Sequence, residues 1–391
     1  MHEFIHRDVE DFLLMNLQTF PAIVLLGPRQ CGKSTLIKKM STNFASFLYL
    51  DLQNYEDLNK LTDLNIFFKS NKDVTICLDE VQLIPELFSF LRSEIDTDRK
   101  NGRFILLGSA SQQLIQKSSE SLAGRVGLII LTPFTFYELS GIIGFNIQSH
   151  WFRGGYPDSY LAGNDNISNL WRLNFIRTYI ERDIPQLGIQ IPALQLRRLL
   201  TMLCHTHGQI INLSKLGESM GTSHTTIRRY VDLLEQTFII RTLLPLETNI
   251  KKRLVKSPKV FVRDSGVLHQ LLGILDFNQL LGNPILGSSW EGYVIENIIA
   301  KLDDYTPFFY RTASGDEMDL VLENGMKRIA IECKVSSAPT LTKGFWNAIE
   351  AIKPDKTFII VPIDTCYEIK KNIWVTGLVK LISLIKNKIE N

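Results

Sequence analysis

Gly27-Pro28-Arg29-Gln30-Cys31-Gly32-Lys33-Ser34-Thr35 reads G-x-x-x-x-G-K-S, the spacing of a Walker A phosphate-binding loop. Before it, Ala22-Ile23-Val24-Leu25-Leu26 is apolar and partly β-branched, as a buried strand requires. After it, Leu36-Ile37-Lys38-Lys39-Met40 reads as the first turns of a helix. A loop between strand and helix aims backbone N–H groups and the positive end of the helix at an anion. In that geometry Gly27 to Thr35 cradle the phosphates of ATP, Lys33 reaches the β- and γ-phosphates, and Ser34 is a ligand for Mg²⁺.

A chain of 391 residues has room for two or three domains. A net charge of +2 gives no global polyanion signal, so any basic surface must be local. The cysteines are Cys31, Cys77, Cys204, Cys333 and Cys366, an odd number with no C-x-x-C, which suggests neither a disulfide framework nor a zinc site. This usage fits a reducing cytoplasm. No apolar run is long enough for a transmembrane helix, so no membrane partner is expected. The N-terminal residues lack the pattern of a signal peptide, and no internal repeat is evident.

Further apolar strands follow the loop. Phe47-Leu48-Tyr49-Leu50 ends at Asp51, and Val74-Thr75-Ile76-Cys77-Leu78 runs into Asp79-Glu80. Acids emerging from the carboxyl end of a buried strand sit where α/β sheets bind ligands. Asp79 is the expected Mg²⁺ holder, and Glu80 the base that polarises an attacking water. An acidic helix cap is the plainer alternative for this pair. Phe104 to Gly108 forms the next strand and ends at Ser109-Ala110-Ser111, where either serine is a candidate phosphate sensor or a helix cap. Arg125, ahead of the strand Gly127 to Leu131, is a candidate arginine finger or in-chain phosphate sensor, with a surface ion pair as the competing role. A finger supplied in trans implies a homo-oligomer.

Alternating strands and helices imply a parallel sheet covered on both faces. The Walker A loop, Leu78-Asp79-Glu80, Gly108-Ser109, Ala123-Gly124-Arg125 and Thr132-Pro133-Phe134 together resemble the AAA-type ATPase domain that in bacteria and archaea is fused to a long C-terminal half of uncharacterised function. Trp151-Phe152-Arg153-Gly154-Gly155-Tyr156-Pro157 is similar to the segment that opens that half. Tyr179 to Ile184, Thr248 to Arg253 and Asp264-Ser265-Gly266-Val267-Leu268 are similar to further family segments, so the resemblance spans nearly the whole chain. Within the helix 167–187, Arg182 and Asp183 either orient the domain against the nucleotide or form a surface ion pair.

Residues 194–245 read as helix, helix, turn, helix and wing strand. Ser223 caps a helix whose leading residues His224, Thr225, Arg228 and Arg229 would face base edges if it entered a DNA major groove. From Arg197 to Arg263 there are twelve Lys/Arg and four Asp/Glu, a local basic bias consistent with DNA. A winged helix can equally serve as a lid or a protein contact.

After Gly282-Asn283-Pro284, a helix bearing Glu291 precedes two strands joined at Asn324-Gly325, a hairpin signal. Asp319 on one strand and Glu332-x-Lys334 on the next form D-x₁₂-E-x-K, with 332 and 334 on one strand face. Two carboxylates holding Mg²⁺ beside a lysine can cleave a phosphodiester. The arrangement looks like the PD-(D/E)xK nuclease core, with Glu291 in the place of its helical acid. A surface-charged hairpin, or an inert core in which Lys334 neutralises a carboxylate, is the alternative.

The expectation is therefore an α/β chain in three parts. Residues 1–150 form an AAA-type P-loop ATPase domain, 151–280 a helical and winged-helix middle, and 281–391 a restriction-endonuclease-like domain. ATP turnover with Mg²⁺ is expected to be coupled to DNA binding or processing. The rivals are a nucleotide-gated protein switch with an inert nuclease-like fold and a winged-helix DNA-binding regulator.

Overall fold

The strand Ala22–Gly27 (β1) is buried along its whole length. Ala22, Val24 and Leu26 pack with Ile76, Leu78, Phe104 and Leu106, whereas Ile23 and Leu25 pack with Cys77, Ile105 and Leu107. That alternation is the period-two burial of a strand covered on both faces. The computed structural model describes residues 4–84, 86–109, 122–184, 191–247 and 255–386. Beside β1 lie β2 (Phe47–Asp51), β3 (Thr75–Asp79), β4 (Phe104–Ser109) and β5 (Val126–Ile130). The order is β2-β3-β4-β1-β5 and every pairing is parallel. Parallel neighbours need crossovers, and these carry α2 (Lys33–Met40), α3 (Tyr55–Lys60), α4 (Leu64–Ser70) and α5 (Leu87–Thr97), after a leading helix α1 (Glu10–Thr19). Asn54 and Asp63 cap α3 and α4 through their side chains, which is why those short helices begin where they do.

The chain divides into two compact units: Met1–Phe134 with Gln236–Phe238, and Thr135–Glu235 with Ile239–Asn391. The first boundary therefore falls before the expected join at Trp151 to Pro157. Trp151 and Phe152 belong to the second unit's core, and the Trp151 indole Nε1 donates to Ser289 Oγ at 2.9 Å.

The second unit begins with α6 (Phe136–Leu139), which opens on a Thr135/Glu138 capping box. It continues through α7 (Ile147–Arg153), α8 (Pro157–Tyr160) and α9 (Asp165–Phe175), which runs into π-helix over Ile176–Asp183. Next come α10 (Ala193–His205), β6 (Gln209–Ile210), α11 (Leu213–Met220), α12 (His224–Gln236), β7 (Ile240–Pro245), β8 (Lys259–Val262), α13 (Ser265–Leu271) and α14 (Phe277–Leu281). The last stretch is α15 (Leu286–Lys301), β9 (Thr306–Arg311), β10 (Glu317–Asn324), β11 (Lys327–Cys333), α16 (Lys343–Ile352), β12 (Lys356–Ile360), β13 (Cys366–Lys370), β14 (Ile373–Thr376) and α17 (Leu378–Lys386).

One mixed sheet, ordered β13-β14-β12-β11-β10-β9-β7-β8-β6, runs through this unit. β7 pairs parallel with β9, Leu244 opposite Phe308, and the Leu246 N–H donates to Phe309 O at 2.7 Å. The stretches expected as separate middle and final domains thus share one sheet, and Gly282-Asn283-Pro284 is a short link between α14 and α15. The β10–β11 turn sits one residue later than the expected Asn324-Gly325: Asn324 pairs with Lys327, and Gly325 has φ +60. No helix among the described residues is long and apolar enough to cross a membrane.

Candidate functional site

Parallel pairing sets Gly27 opposite Ser109 and Leu78 opposite Leu106, so the loop after β1, the acids after β3 and the end of β4 meet at one sheet edge. Gly27 has no room for a side chain: a Cβ there would lie 2.1 Å from Leu131 O. Cys31 contributes packing, buried with its Sγ 3.5 Å from Leu131 O. Arg7 braces the loop from outside, donating to Cys31 O at 3.0 Å and Thr132 O at 2.6 Å. Nothing in the sequence pattern marked Arg7 for that task.

Lys33 begins α2 and is only 6% exposed. Its Nζ donates to Gly27 O and Pro28 O, each at 2.9 Å, and no carboxylate among the described residues pairs with it. A buried ammonium whose acceptors are neutral carbonyls of its own loop is matched to an incoming anion. Ser34 Oγ donates to Asp79 Oδ2 at 2.6 Å, and the Tyr49 hydroxyl donates to the same oxygen. Burial, reinforced by Asp79, holds the Tyr49 phenol well above its ordinary range, so it remains a donor. A hydroxyl beside a carboxylate is the oxygen donor set that suits Mg²⁺, so Ser34 and Asp79 fit that ion and Lys33 fits the phosphates. Bound Mg²⁺ would neutralise phosphate charge.

Glu80 has φ +57 and ψ 42, a conformation seldom adopted by a residue with a Cβ and concentrated at functional sites. Its Oε2 accepts from the Gln82 side chain and from Ser109 Oγ at 3.2 Å. Gln82, which the sequence did not single out, thus holds the candidate base beside Ser109. Ser111 lies outside the described residues.

Arg125 is placed elsewhere. It precedes β5, and its carbonyl accepts from Ala22 N at the start of β1, the edge opposite the loop. Its Nε and Nη2 donate to the two oxygens of Asp96 at 2.6 and 2.9 Å. The expected in-chain sensor geometry is absent, and the competing ion pair is what forms.

In the second unit, β10 and β11 bring Asp319 and Glu332 side by side. Cys333 N–H donates to Asp319 Oδ2 at 2.8 Å, and Lys334 Nζ donates to Glu332 Oε1 at 2.6 Å. Glu291 on α15 joins them, but Lys259, by sequence only one of the basic residues between Arg197 and Arg263, lies between: its Nζ is 2.8 Å from Glu291 Oε1, 2.8 Å from Glu317 Oε1 and 3.8 Å from Asp319 Oδ1. Burial and the Asp319 charge push Glu291 up to about 8, and burial and Asp319 do the same to Glu332. Burial would depress Lys259, yet Glu291, Asp319 and Glu317 hold it above its usual range. Among the described residues no three His, Cys, Asp or Glu side chains converge as a metal site. Glu291, Asp319 and Glu332, the expected ligands, thus lie in one cluster with an ammonium among the acids.

On α12, Thr226 N–H donates to Ser223 Oγ at 3.1 Å, the expected cap. His224, Thr225, Arg228 and Arg229 are exposed, and Arg228 lies 3.6 Å from Asp232 one turn on. Of the basic run that follows β7, Lys251, Lys252 and Arg253 lie outside the described residues. Arg182 Nε donates to its chain neighbour Asp183 at 2.8 Å.

Two segments that carried the family resemblance are packing devices. Asp264 caps α13 by accepting from Val267 N at 2.8 Å and also accepts from Gly155 N at 2.8 Å. A Cβ on Gly266 would lie 2.1 Å from Arg153 O. Close backbone approach explains Gly266, and the Asp264 carboxylate leaves no room for a side chain on Gly154.

Residues 19–140 match the AAA domain family, 145–278 a domain of unknown function (DUF8612), and 286–381 a second (DUF4143). Uncharacterised proteins of Mycobacterium tuberculosis and Mycobacterium bovis are each 38% identical over 91% of this chain and 80% of their own length. An uncharacterised protein of Haemophilus influenzae is 23% identical over 64% of this chain and 69% of its own length. The Walker-type ATPase of Pyrococcus abyssi covers 69% of this chain and 96% of its own at 15% identity, with a TM-score of 0.47. The chain belongs to the family of these uncharacterised mycobacterial proteins, with an AAA-type ATPase domain at its N-terminal end followed by domains of unknown function.

Proposed function

We propose that the protein binds ATP with Mg²⁺ at the loop Gly27 to Thr35, hydrolyses it, and couples turnover to contact with DNA through α12. The observation that carries the hydrolytic reading is the convergence at one sheet edge of a buried ammonium, a Ser34–Asp79 pair and a strained Glu80 steadied by Gln82 and Ser109. Lys33 binds the terminal phosphates, Ser34 and Asp79 hold the cation, and Glu80 accepts a proton from the attacking water. Tyr49 keeps Asp79 oriented. DNA contact is supported by the exposed leading residues of α12, His224, Thr225, Arg228 and Arg229.

The test is steady-state ATP turnover in Mg²⁺ with and without duplex DNA, Lys33→Ala serving as the control. Turnover that rises with DNA and vanishes in Lys33→Ala is expected. Turnover indifferent to DNA removes the coupling and favours a nucleotide-gated protein switch, and wild-type turnover in Lys33→Ala removes the site.

A further inference from the structure

We propose that the Lys259 ammonium is the resident cation of the acidic cluster in the second unit, occupying the role a divalent metal would play in a nuclease-like core. This reading goes beyond ATP turnover and is independent of it. Lys259 is 1% exposed, too deep for its Nζ to reach a phosphodiester, and it bridges Glu291 and Glu317 at 2.8 Å each with Asp319 at 3.8 Å. Phe309 covers it, with the ring centroid 5.6 Å from Nζ.

The oxygens left over do not make a metal site. Asp319 gives one oxygen to Cys333 N–H and turns the other toward Lys259, while Glu332 gives Oε1 to Lys334. Glu332 Oε2 alone is buried without a hydrogen-bond partner. Mg²⁺ asks for near-octahedral oxygen coordination, with one or two carboxylates free to bind it. Glu291 Oε1, Glu317 Oε1 and Asp319 Oδ1 all face the Lys259 ammonium, so a divalent ion joining Glu332 Oε2 to them would have to displace a buried cation. Lys259 begins β8, which pairs with β7, and β7 pairs with β9, so the ammonium also pins the hairpin of the middle stretch to the final one. The cluster is thus a structural lock in which metal-dependent cleavage has no place.

The experiment uses the full chain with Ser34→Ala and Asp79→Asn, which removes the cation ligands of the ATP site. Mn²⁺ is titrated and followed by electron paramagnetic resonance. No stoichiometric site is expected, whereas one equivalent bound and then lost on Asp319→Asn overturns the proposal. In the same background, Lys259→Met leaves buried carboxylates without their counter-charge, so melting should fall by about 10 °C and recover in part with Mn²⁺. Unchanged melting overturns the proposal. Should Lys259→Met not fold, Lys259→Arg decides: it keeps the charge and should melt within a few degrees of its background, and a fall as large as that expected for methionine contradicts a cation role.

Discussion

Glu296 is the group whose removal tests the architecture of the second unit most sharply. It sits on α15 between Arg241 of β7 and Arg263, just beyond β8, and ties that hairpin to the final stretch. Arg241 donates to both of its oxygens, one at 3.0 Å, and Arg263 Nε donates at 2.9 Å. Burial alone would raise its pKa, but the attraction and hydrogen bonds of the two guanidinium groups bring it from 4.5 down to about 2. That displacement corresponds to about 3 kcal/mol of folding stability. Glu296→Gln keeps the shape and removes the negative charge that both buried guanidinium groups share, a loss of about 3–5 kcal/mol and on the order of 10 °C in melting temperature. The sign of the pH dependence follows. A depressed carboxyl contributes above its unfolded pKa, so the wild type loses this stability as pH falls from about 4.5 toward 2. The gap between wild type and Glu296→Gln should be full at pH 7 and shrink below pH 4.5. Urea unfolding followed by circular dichroism at pH 7, 4 and 3 measures it. A gap under about 1 kcal/mol at pH 7, or one unchanged at pH 3, refutes the reasoning.

Other expectations follow from particular contacts. Gly266→Ala forces a Cβ against Arg153 O and should cost about 1–3 kcal/mol in unfolding experiments; wild-type stability would show that the backbones need not be so close. If α12 lies against DNA, removing Arg228 and Arg229 together should lower the slope of log affinity against log salt by about 2 in a binding titration, whereas an unchanged slope places DNA elsewhere or nowhere. Arg125→Ala should leave the affinity for a non-hydrolysable ATP analogue unchanged in a monomeric preparation, because Arg125 pairs with Asp96 at the far sheet edge. A loss of about tenfold contradicts that placement.

The ATPase domain was legible because its signals are local. A run such as Ile76-Cys77-Leu78-Asp79 states both that a strand is buried and that its end carries an acid, and parallel pairing does the rest. Ser223 as a cap and Asp319 beside Glu332 were likewise readable, since capping and hairpin register act over short separations. What escaped reading depends on contacts distant in sequence. Tyr49 looked like one more apolar residue of β2, and only the β2–β3 pairing aims its hydroxyl at Asp79. Lys259 looked like part of a basic run, and only the shared sheet carries it among Glu291, Glu317 and Asp319. Arg125 was open to two roles, a phosphate group's partner because arginine stabilises transition-state charge, or a surface ion pair. Its position at the start of a parallel strand could not be weighed until the polarity of β5 relative to β1 was fixed. Gly-Gly-aromatic-Pro signals a turn wherever it occurs, but the burial of Trp151 was invisible without Ser289.

The central claim is hydrolysis of ATP by a base placed after β3. The most direct measurement compares nucleotide binding and single-turnover hydrolysis in wild type and Glu80→Gln. Glu80 accepts hydrogen bonds from Gln82 and Ser109 but touches neither Lys33 nor Ser34 among the described contacts. Glu80→Gln should therefore bind ATP with wild-type affinity while hydrolysis slows by about 10² or more. Hydrolysis at the wild-type rate, or loss of binding together with hydrolysis, would contradict the assignment.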